Sequence, residues 1–155
     1  MIIRKAKLEE AYLLSELSFR SKAYWGYSDR FMRACKVELT VSPENLCDER
    51  LCYMVAVSND RIKGYYALET LSETEMELCA LFIDPEFIGF GIGKVLLSHA
   101  KRVAADKGVT NLSLQSDPNA QGFYLAMGAV PSGKRKSSSI PGRFLPTFNI
   151  PLANS

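Results

Sequence analysis

Three glycines alternate with larger residues directly ahead of a stretch with helical periodicity. They are Gly89, Gly91 and Gly93. Glycine adopts positive φ and carries no side chain, so successive backbone N–H groups can point into one concavity. The first turn of the following helix adds unpaired N–H groups and a partial positive charge. The segment therefore predicts a backbone site for a phosphate or pyrophosphate, and a glycine-rich connector without a ligand is the alternative.

This glycine run differs from the two commonest nucleotide-binding motifs. The Walker sequence G-x-x-x-x-G-K-[ST] would need glycine at Ile88 and a hydroxyl residue at Val95. The dinucleotide fingerprint G-x-G-x-x-G, counted from Gly89, ends at Lys94 instead of a glycine, and counted from Gly91 it also fails. The sequence therefore excludes both motifs and predicts a different phosphate-bearing ligand.

A second segment, residues 119–129, reads N-A-Q-G-F-Y-L-A-M-G-A. Together with the glycine run it resembles the two signature motifs of the GCN5-related N-acetyltransferases, the GNAT family. The family pattern Q/R-x-x-G-x-G/A falls on residues 88–93, and the pattern N-A-x-x-F-Y-x-x-x-G falls on residues 119–128. One position departs from the family, because Ile88 stands where Gln or Arg is usual. That change removes a polar contact and leaves the backbone amides in place.

The resemblance implies that acetyl-CoA is the acetyl donor and that a primary amine of a small molecule or peptide is the acceptor. In the family, the amides of the glycine turn hold the CoA pyrophosphate. Asn119 would bond the pantetheine arm or a nearby backbone group, or only begin a helix. The residues expected to contact CoA by this resemblance are Leu81, Phe82, Ile83, Ile88, Gly89, Phe90, Gly91, Ile92, Gly93, Lys94, Asn119, Phe123 and Tyr124.

The resemblance also implies the catalytic residues. Tyr124 matches the family tyrosine that assists the leaving thiolate, and proton transfer from a tyrosine to a thiolate is uphill by only about 2 kcal/mol. Glu77 is the expected base, directly or through water, and strand alternation places it on one face with Cys79 and Leu81. A backbone amide of residues 81–83 would hold the oxyanion. The plain alternatives are a core aromatic for Tyr124 and an ordinary strand-end carboxylate for Glu77.

Direct transfer is the expected mechanism. Cys79 lies in an apolar run, which predicts a buried thiol, and no histidine is available to activate it as a nucleophile. His99 lies on the apolar face of a helix and is interpreted as a packed core residue. A non-catalytic acyl-CoA sensor with the same fold is the alternative function.

The acceptor side is expected in the segment after the first strand. Tyr24, Trp25 and Tyr27 crowd around a glycine, and their rings would pack around a cationic amine or fill the gap between helices and sheet. Arg143 would bind a carboxylate of the acceptor or cover the sheet edge. These four residues are the expected acceptor-binding set.

The composition is that of a globular protein. Apolar residues make up 47% of the 155, charged residues 23%, and the net charge is +2, which argues against nucleic acid as a partner. The basic run Lys134-Arg135-Lys136 is interpreted as a solvated loop. The four cysteines show no C-x-x-C spacing, so no metal site is expected. Without a secretory leader or an apolar run of about 20 residues, the sequence predicts a cytoplasmic protein with no membrane association, and a homodimer is compatible with it.

These residues need a scaffold of alternating strands and helices. The pattern predicts the order β-α-α-β-β-β-α-β-α-β over one acetyltransferase domain of residues 1–155, an α/β (α+β) mixed sheet with helices on both faces, which is the GNAT fold. Glu75 to Ile83 is expected to be a central strand because its core is almost continuously apolar. A helix from Asp29 to Leu39 is expected to be capped by Ser28.

Overall fold

The computed structural model describes residues 1–152. Seven strands and five helices follow one another along the chain. In order they are β1 (Ile2–Lys5), α1 (Ala11–Ala23), α2 (Asp29–Leu39), α3 (Pro43–Cys47), β2 (Leu51–Ser58), β3 (Arg61–Thr70), β4 (Glu75–Ile83), α4 (Ile92–Asp106), β5 (Asn111–Gln115), α5 (Gln121–Ala126), β6 (Val130–Lys136) and β7 (Phe144–Pro151). Short 3-10 turns precede α1, α4 and α5, at Leu8–Glu10, Pro85–Phe87 and Pro118–Ala120.

The strands form a single mixed sheet in the order β1-β2-β3-β4-β5-β7-β6. Every neighbouring pair is antiparallel except β4 and β5, which run parallel and are joined by α4. One face packs on α4 and α5 around Leu96, Leu97 and Tyr124. The other face packs on α1 around Leu14 and Leu17. The predicted mixed sheet with helices on both faces is therefore confirmed.

Strand β4 carries a bulge at Cys79. Leu78 pairs with Leu68 and Ala80 pairs with Ala67, so Cys79 has no partner on β3. An extra residue of this kind shifts the alternation of side chains by one position. Met76 and Leu78 face the core under α4 before the bulge, while Leu81 and Ile83 face it afterwards. The predicted grouping of Glu77, Cys79 and Leu81 on one face is therefore wrong, because Leu81 lies on the face opposite Glu77.

Beyond the bulge β4 pairs with β3 but no longer with β5. The pairing with β5 covers Glu75 to Leu78 and ends there, whereas β5 continues one residue further and pairs with β7. Within the part of the chain that the structure describes, the edge of residues 79–83 that faces β5 therefore has no strand partner. Its backbone N–H and C=O groups are left free for another ligand.

Two elements were not predicted from the sequence. β6 takes in Lys134-Arg135-Lys136, so the expectation of a loop there is wrong. All of β6 is exposed, because it is an edge strand that pairs only with β7, and it therefore lacks the apolar alternation by which strands are identified. α3 has only five residues, begins at a capping box between Ser42 and Asn45, and buries no side chain completely.

Candidate active site

A cleft of about 740 Å³ opens where β4 and β5 separate. Its floor is the unpaired half of β4, and its walls come from the glycine turn, the start of α5 and the loop after α1. Nearly all of the residues predicted to bind CoA line it: Leu81, Phe82, Ile83, Ile88, Gly89, Gly91, Ile92, Gly93, Lys94, Asn119, Phe123 and Tyr124. The remaining one, Phe90, does not line it, since its ring is 75% exposed and lies edge-on to Phe87 outside the cleft.

The glycine turn forms the predicted concavity. Gly89 and Gly91 have φ values of +91° and +77°, which few residues other than glycine adopt. Gly91 is the N-cap of α4, and no side chain caps the helix there. Within residues 1–152 the amides of Gly89 and Gly91 donate to no backbone or side-chain acceptor. With the free first-turn amides of α4, they form a cluster of donors facing the cleft, suited to an anion.

Gly93 differs from the other two because it lies within the first turn of α4 and has no positive φ. A Cβ atom at this position would lie 3.4 Å from the Phe123 ring and 3.8 Å from Ile83, which are ordinary van der Waals distances. The first turn of α4 therefore packs against α5 and β4, and this packing would also admit an alanine. This contact brings the glycine turn and the Tyr124 helix into one wall.

Tyr124 lies at the junction of this wall and the core. Its residue is only 7% exposed, and its ring stacks on Phe148 and meets Phe123 edge-on. The hydroxyl bonds no other described residue. Among residues 1–152, every side-chain nitrogen or oxygen atom that is fully buried has a hydrogen-bond partner, so an atom without a partner is not fully buried. The hydroxyl is therefore open to the cleft. Burial raises the pKa of this phenol above its ordinary value, so the group is a protonated donor at neutral pH.

An acidic cluster lies around Glu77 and Cys79, which line the cleft. A carboxylate oxygen of Glu69, a carboxylate oxygen of Glu77 and the Cys79 Sγ all lie within 4.8 Å of one another. Cys79 is exposed to the cleft rather than buried as predicted, because the bulge turns its side chain out of the core. Protein still surrounds the thiol on most sides. This partial burial and the carboxylates of Glu77 and Glu69 raise its pKa to about 12.

The basic β6 strand reaches across the sheet to this acidic cluster. The Arg135 guanidinium lies 3.9 Å from the Glu77 carboxylate, although both side chains keep access to solvent. An exposed pair at this distance contributes little to stability. It does place a movable cation at the carboxylate predicted to be the base.

The expected acceptor-binding residues divide into two groups. Tyr24 and Trp25 line the cleft and are about half exposed, with their rings in edge contact at 5.7 Å. Tyr27 and Arg143 do not line the cleft. The Tyr27 ring stacks on Phe31 at 4.1 Å, and the Arg143 guanidinium lies over both of these rings.

Tyr27 and Arg143 belong instead to a polar network centred on Asp117. The Tyr27 hydroxyl donates to the Asp117 carboxylate at 2.8 Å, and Lys22 and Arg143 lie 3.3 and 3.6 Å from the same oxygen. Asp117 also accepts a hydrogen bond from the Asn119 backbone amide at 2.9 Å. The network connects α1, the α1–α2 loop, the start of α5 and the β6–β7 loop. Sequence reasoning missed it because its members are far apart in the chain, with 116 positions between Tyr27 and Arg143.

The comparison with known proteins agrees with this geometry. The family model described as "Acetyltransferase (GNAT) family" matches residues 12–129. The chain belongs to this family. As a GNAT acetyltransferase it is an enzyme that uses acetyl-CoA as its donor and acetylates nitrogen, as the two motifs predicted.

Relatives and solved structures support the assignment along the whole chain. Peptidyl-lysine N-acetyltransferase YjaB of Salmonella typhimurium is 29% identical over 148 residues, which cover 96% of this chain and 95% of that protein. The structure of PaiA N-acetyltransferase from Thermoplasma acidophilum, in complex with coenzyme A, has a TM-score of 0.81 at 19% identity and covers 97% and 98% of the two chains. An aminoglycoside 6'-N-acetyltransferase complexed with coenzyme A has a TM-score of 0.74 at 16% identity, over 100% and 99% of the two chains. These two structures share the GNAT fold with this chain.

The helices of the GNAT domain are short or amphipathic. Within residues 1–152, no helix has both the length and the apolar character needed to cross a membrane.

Proposed function

We propose that this GNAT enzyme transfers the acetyl group directly from acetyl-CoA to a primary amine of a peptide or small molecule. The observation that supports the proposal is that Tyr124, Glu77 and the part of β4 without a partner on β5 all line one cleft. A lysine side chain in a peptide is the first acceptor to test, because the Salmonella relative is named for that activity.

The donor would lie along the glycine turn and β4. The amides of Gly89 and Gly91 and those of the first turn of α4 would receive the pyrophosphate, since these free donors coincide with the positive end of the helix. The pantetheine arm would then continue along the unpaired edge of β4 and make the backbone hydrogen bonds that β5 does not supply. This path brings the thioester toward the bulge and its acidic cluster.

The acceptor would enter from the Tyr24 and Trp25 side. A protonated amine is favoured there by the negative charges of Glu77 and Glu69 and would displace the Arg135 guanidinium from Glu77. Glu77 then removes the proton, directly or through water, so that the nitrogen lone pair can attack the thioester carbonyl. The rings of Tyr24 and Trp25 supply an apolar and π-rich wall for the carbon chain that carries the amine.

The transfer balances without an enzyme-bound intermediate. The new C–N bond forms a tetrahedral oxyanion, for which N–H groups on the free edge of residues 79–83 are the nearest backbone donors. The C–S bond then breaks as the nitrogen loses its second proton to solvent, and the CoA thiolate takes a hydrogen bond from Tyr124. Because burial raises the pKa of this phenol, the hydrogen bond stabilises the thiolate more readily than full proton transfer would, and solvent completes protonation.

An acetylated Cys79 is disfavoured by the same surroundings. At a pKa of about 12 the thiol is almost entirely protonated at neutral pH, and the thiolate is the nucleophilic form. The one histidine of the chain, His99, accepts or donates a 2.7 Å hydrogen bond with the Tyr66 hydroxyl and is not part of the cleft lining. Direct transfer is the simpler route.

The experiment combines an acceptor screen with a matched pair of variants. Purified protein is incubated with acetyl-CoA and a panel of lysine peptides, amino acids and small amines, and released CoA thiol is measured. Tyr124→Phe should lower kcat by about 10²-fold, a typical contribution of a general acid, and leave the Kd of CoA nearly unchanged. Tyr12→Phe is the control, because Tyr12 is 69% exposed and its hydroxyl bonds Glu16 on the outside of α1.

Two results would contradict the proposal. Equal turnover of Tyr124→Phe and wild-type protein would assign Tyr124 a packing role only. Tight CoA binding with no thiol release on any amine of the panel would favour the non-catalytic sensor.

A further inference from the structure

The hydrogen bonds around Asp117 determine which way the Asn119 amide faces. Burial alone would raise the pKa of Asp117, but the Asn119 backbone amide, the Tyr27 hydroxyl and the Lys22 ammonium together hold it below its ordinary value. The carboxylate is therefore ionised and can only accept hydrogen bonds. Any group that faces it must present a hydrogen.

The Tyr27 hydroxyl has one hydrogen and two lone pairs, and the network uses all three. It donates to Asp117 at 2.8 Å, and it accepts from Asn119 Nδ2 at 3.0 Å and from the Arg143 guanidinium at 2.8 Å. Since the hydrogen is committed to Asp117, the other two neighbours must both be donors. A fully satisfied hydroxyl of this kind holds a fixed orientation.

The Asn119 side chain is constrained from two directions. Its Nδ2 donates one hydrogen to Asp117 Oδ1 at 2.9 Å and the other to the Tyr27 hydroxyl at 3.0 Å. Both amide hydrogens are used, so the carbonyl Oδ1 is the polar atom of this side chain that has no partner within residues 1–152. Because Asn119 lines the cleft, this oxygen is available to a ligand there.

We propose that Asp117 and Tyr27 are positioning residues that hold Asn119 with its carbonyl oxygen toward the cleft, where it accepts an N–H of the pantetheine arm. Asn119 thus acts as an acceptor and not as a donor. The network also fixes the loop that carries Tyr24 and Trp25 against the start of α5, so the donor and acceptor walls of the cleft share one anchor. The proposal rests on the assignment of this cleft to acetyl-CoA.

A double-mutant cycle on CoA affinity tests the proposal without knowledge of the acceptor. The Kd of CoA is measured by calorimetry for wild type, Tyr27→Phe, Asn119→Ala and the double variant. Tyr27→Phe keeps the ring that stacks on Phe31 and removes only the hydroxyl. Tyr12→Phe again serves as the control, and melting curves verify that every variant is folded.

The two single changes should each weaken CoA binding by about twofold to tenfold, the effect of one net hydrogen bond. The Kd of CoA for the double variant should lie within about twofold of the Kd for Asn119→Ala. The reason is that Tyr27 acts through Asn119, so the free-energy effects of the two changes are not additive. Unchanged CoA affinity in Tyr27→Phe, or losses that multiply in the double variant, would overturn the positioning role. Failure of the wild-type protein to bind CoA would instead overturn the assignment of the cleft, so the two failures are distinguishable.

Discussion

Gly91 allows the anion site to be tested by charge alone. Its φ of +77° places it in the left-handed region, and a Cβ atom added there meets nothing within 4 Å. Any larger residue therefore costs about 1–2 kcal/mol of stability through backbone strain and not through a clash. Gly91→Glu and Gly91→Gln share that strain and nearly the same volume, so they differ only in one negative charge at the start of α4.

The expected difference between these variants follows from Coulomb's law. Two phosphate charges about 5 Å from a carboxylate repel it by about 2 kcal/mol at a dielectric constant near 80, and by about 7 kcal/mol near 20. A binding free-energy difference of about 1.4 kcal/mol changes the Kd tenfold. Gly91→Glu should therefore bind CoA at least about 10-fold more weakly than Gly91→Gln. The same charge interacts favourably with the helix dipole, so Gly91→Glu should be slightly the more stable of the two in melting experiments.

Calorimetry with CoA at low and high salt is the assay. Raising the salt concentration should narrow the gap between Gly91→Glu and Gly91→Gln, because ions screen the repulsion. Gly108→Glu is the control, since Gly108 has a similar φ of +83° and equally open surroundings at the far end of α4. Equal CoA affinities for Gly91→Glu and Gly91→Gln would refute the placement of the pyrophosphate at this turn.

Two further predictions follow from charges in the cleft and in the turn before α1. Because the pKa of the Cys79 thiol is about 12, it should react with iodoacetamide at pH 7.5 at least about 100-fold more slowly than a free cysteine does. Peptide mass spectrometry measures the labelling rate. Rapid labelling would instead support the acyl-enzyme route. The paired guanidinium of Arg4, at 2.9 and 2.8 Å, and the Lys7 amide hold the pKa of the buried Glu10 below its ordinary value. The stability that ionised Glu10 contributes is therefore present above the unfolded-state pKa of about 4 and is lost as pH falls through the lower folded-state pKa. The Tm difference between wild type and Glu10→Gln should accordingly shrink below about pH 4. A Tm difference that stays constant down to pH 3 would contradict the ionic origin of that stability.

Local signals in the sequence predicted local structure well. Ser28 was expected to cap α2, and its hydroxyl accepts a hydrogen bond from the Phe31 amide at the start of that helix. The bounds of β4 were also predicted from its continuous apolar core. The glycine turn was predictable because positive φ and a following helix are encoded within a few residues. The structure has both.

Contacts between distant segments could not be predicted in this way. Tyr27 and Arg143 were expected to meet the acceptor because they are an aromatic and a cation near a cleft. In the structure both contact Asp117, which lies 90 positions from Tyr27, and nothing in the local pattern of any of the three indicates the others. β6 was missed for a related reason, since an exposed edge strand is defined by its pairing with β7 and not by its own side chains.

The bulge at Cys79 explains why the face of Leu81 was predicted wrongly, and it also lies at the candidate active site. Alternation assumes one residue per pairing position, and a bulge breaks that assumption without changing any residue type, so the face of Leu81 was necessarily mispredicted. The same extra residue lies where β4 leaves β5, next to Glu77 and ahead of the free edge of residues 79–83. β5 ends at Gln115, so the edge of β4 beyond Leu78 borders the cleft without a partner on β5. The irregularity that defeats strand alternation therefore lies at the point where the carboxylate, the free amides and the cleft meet.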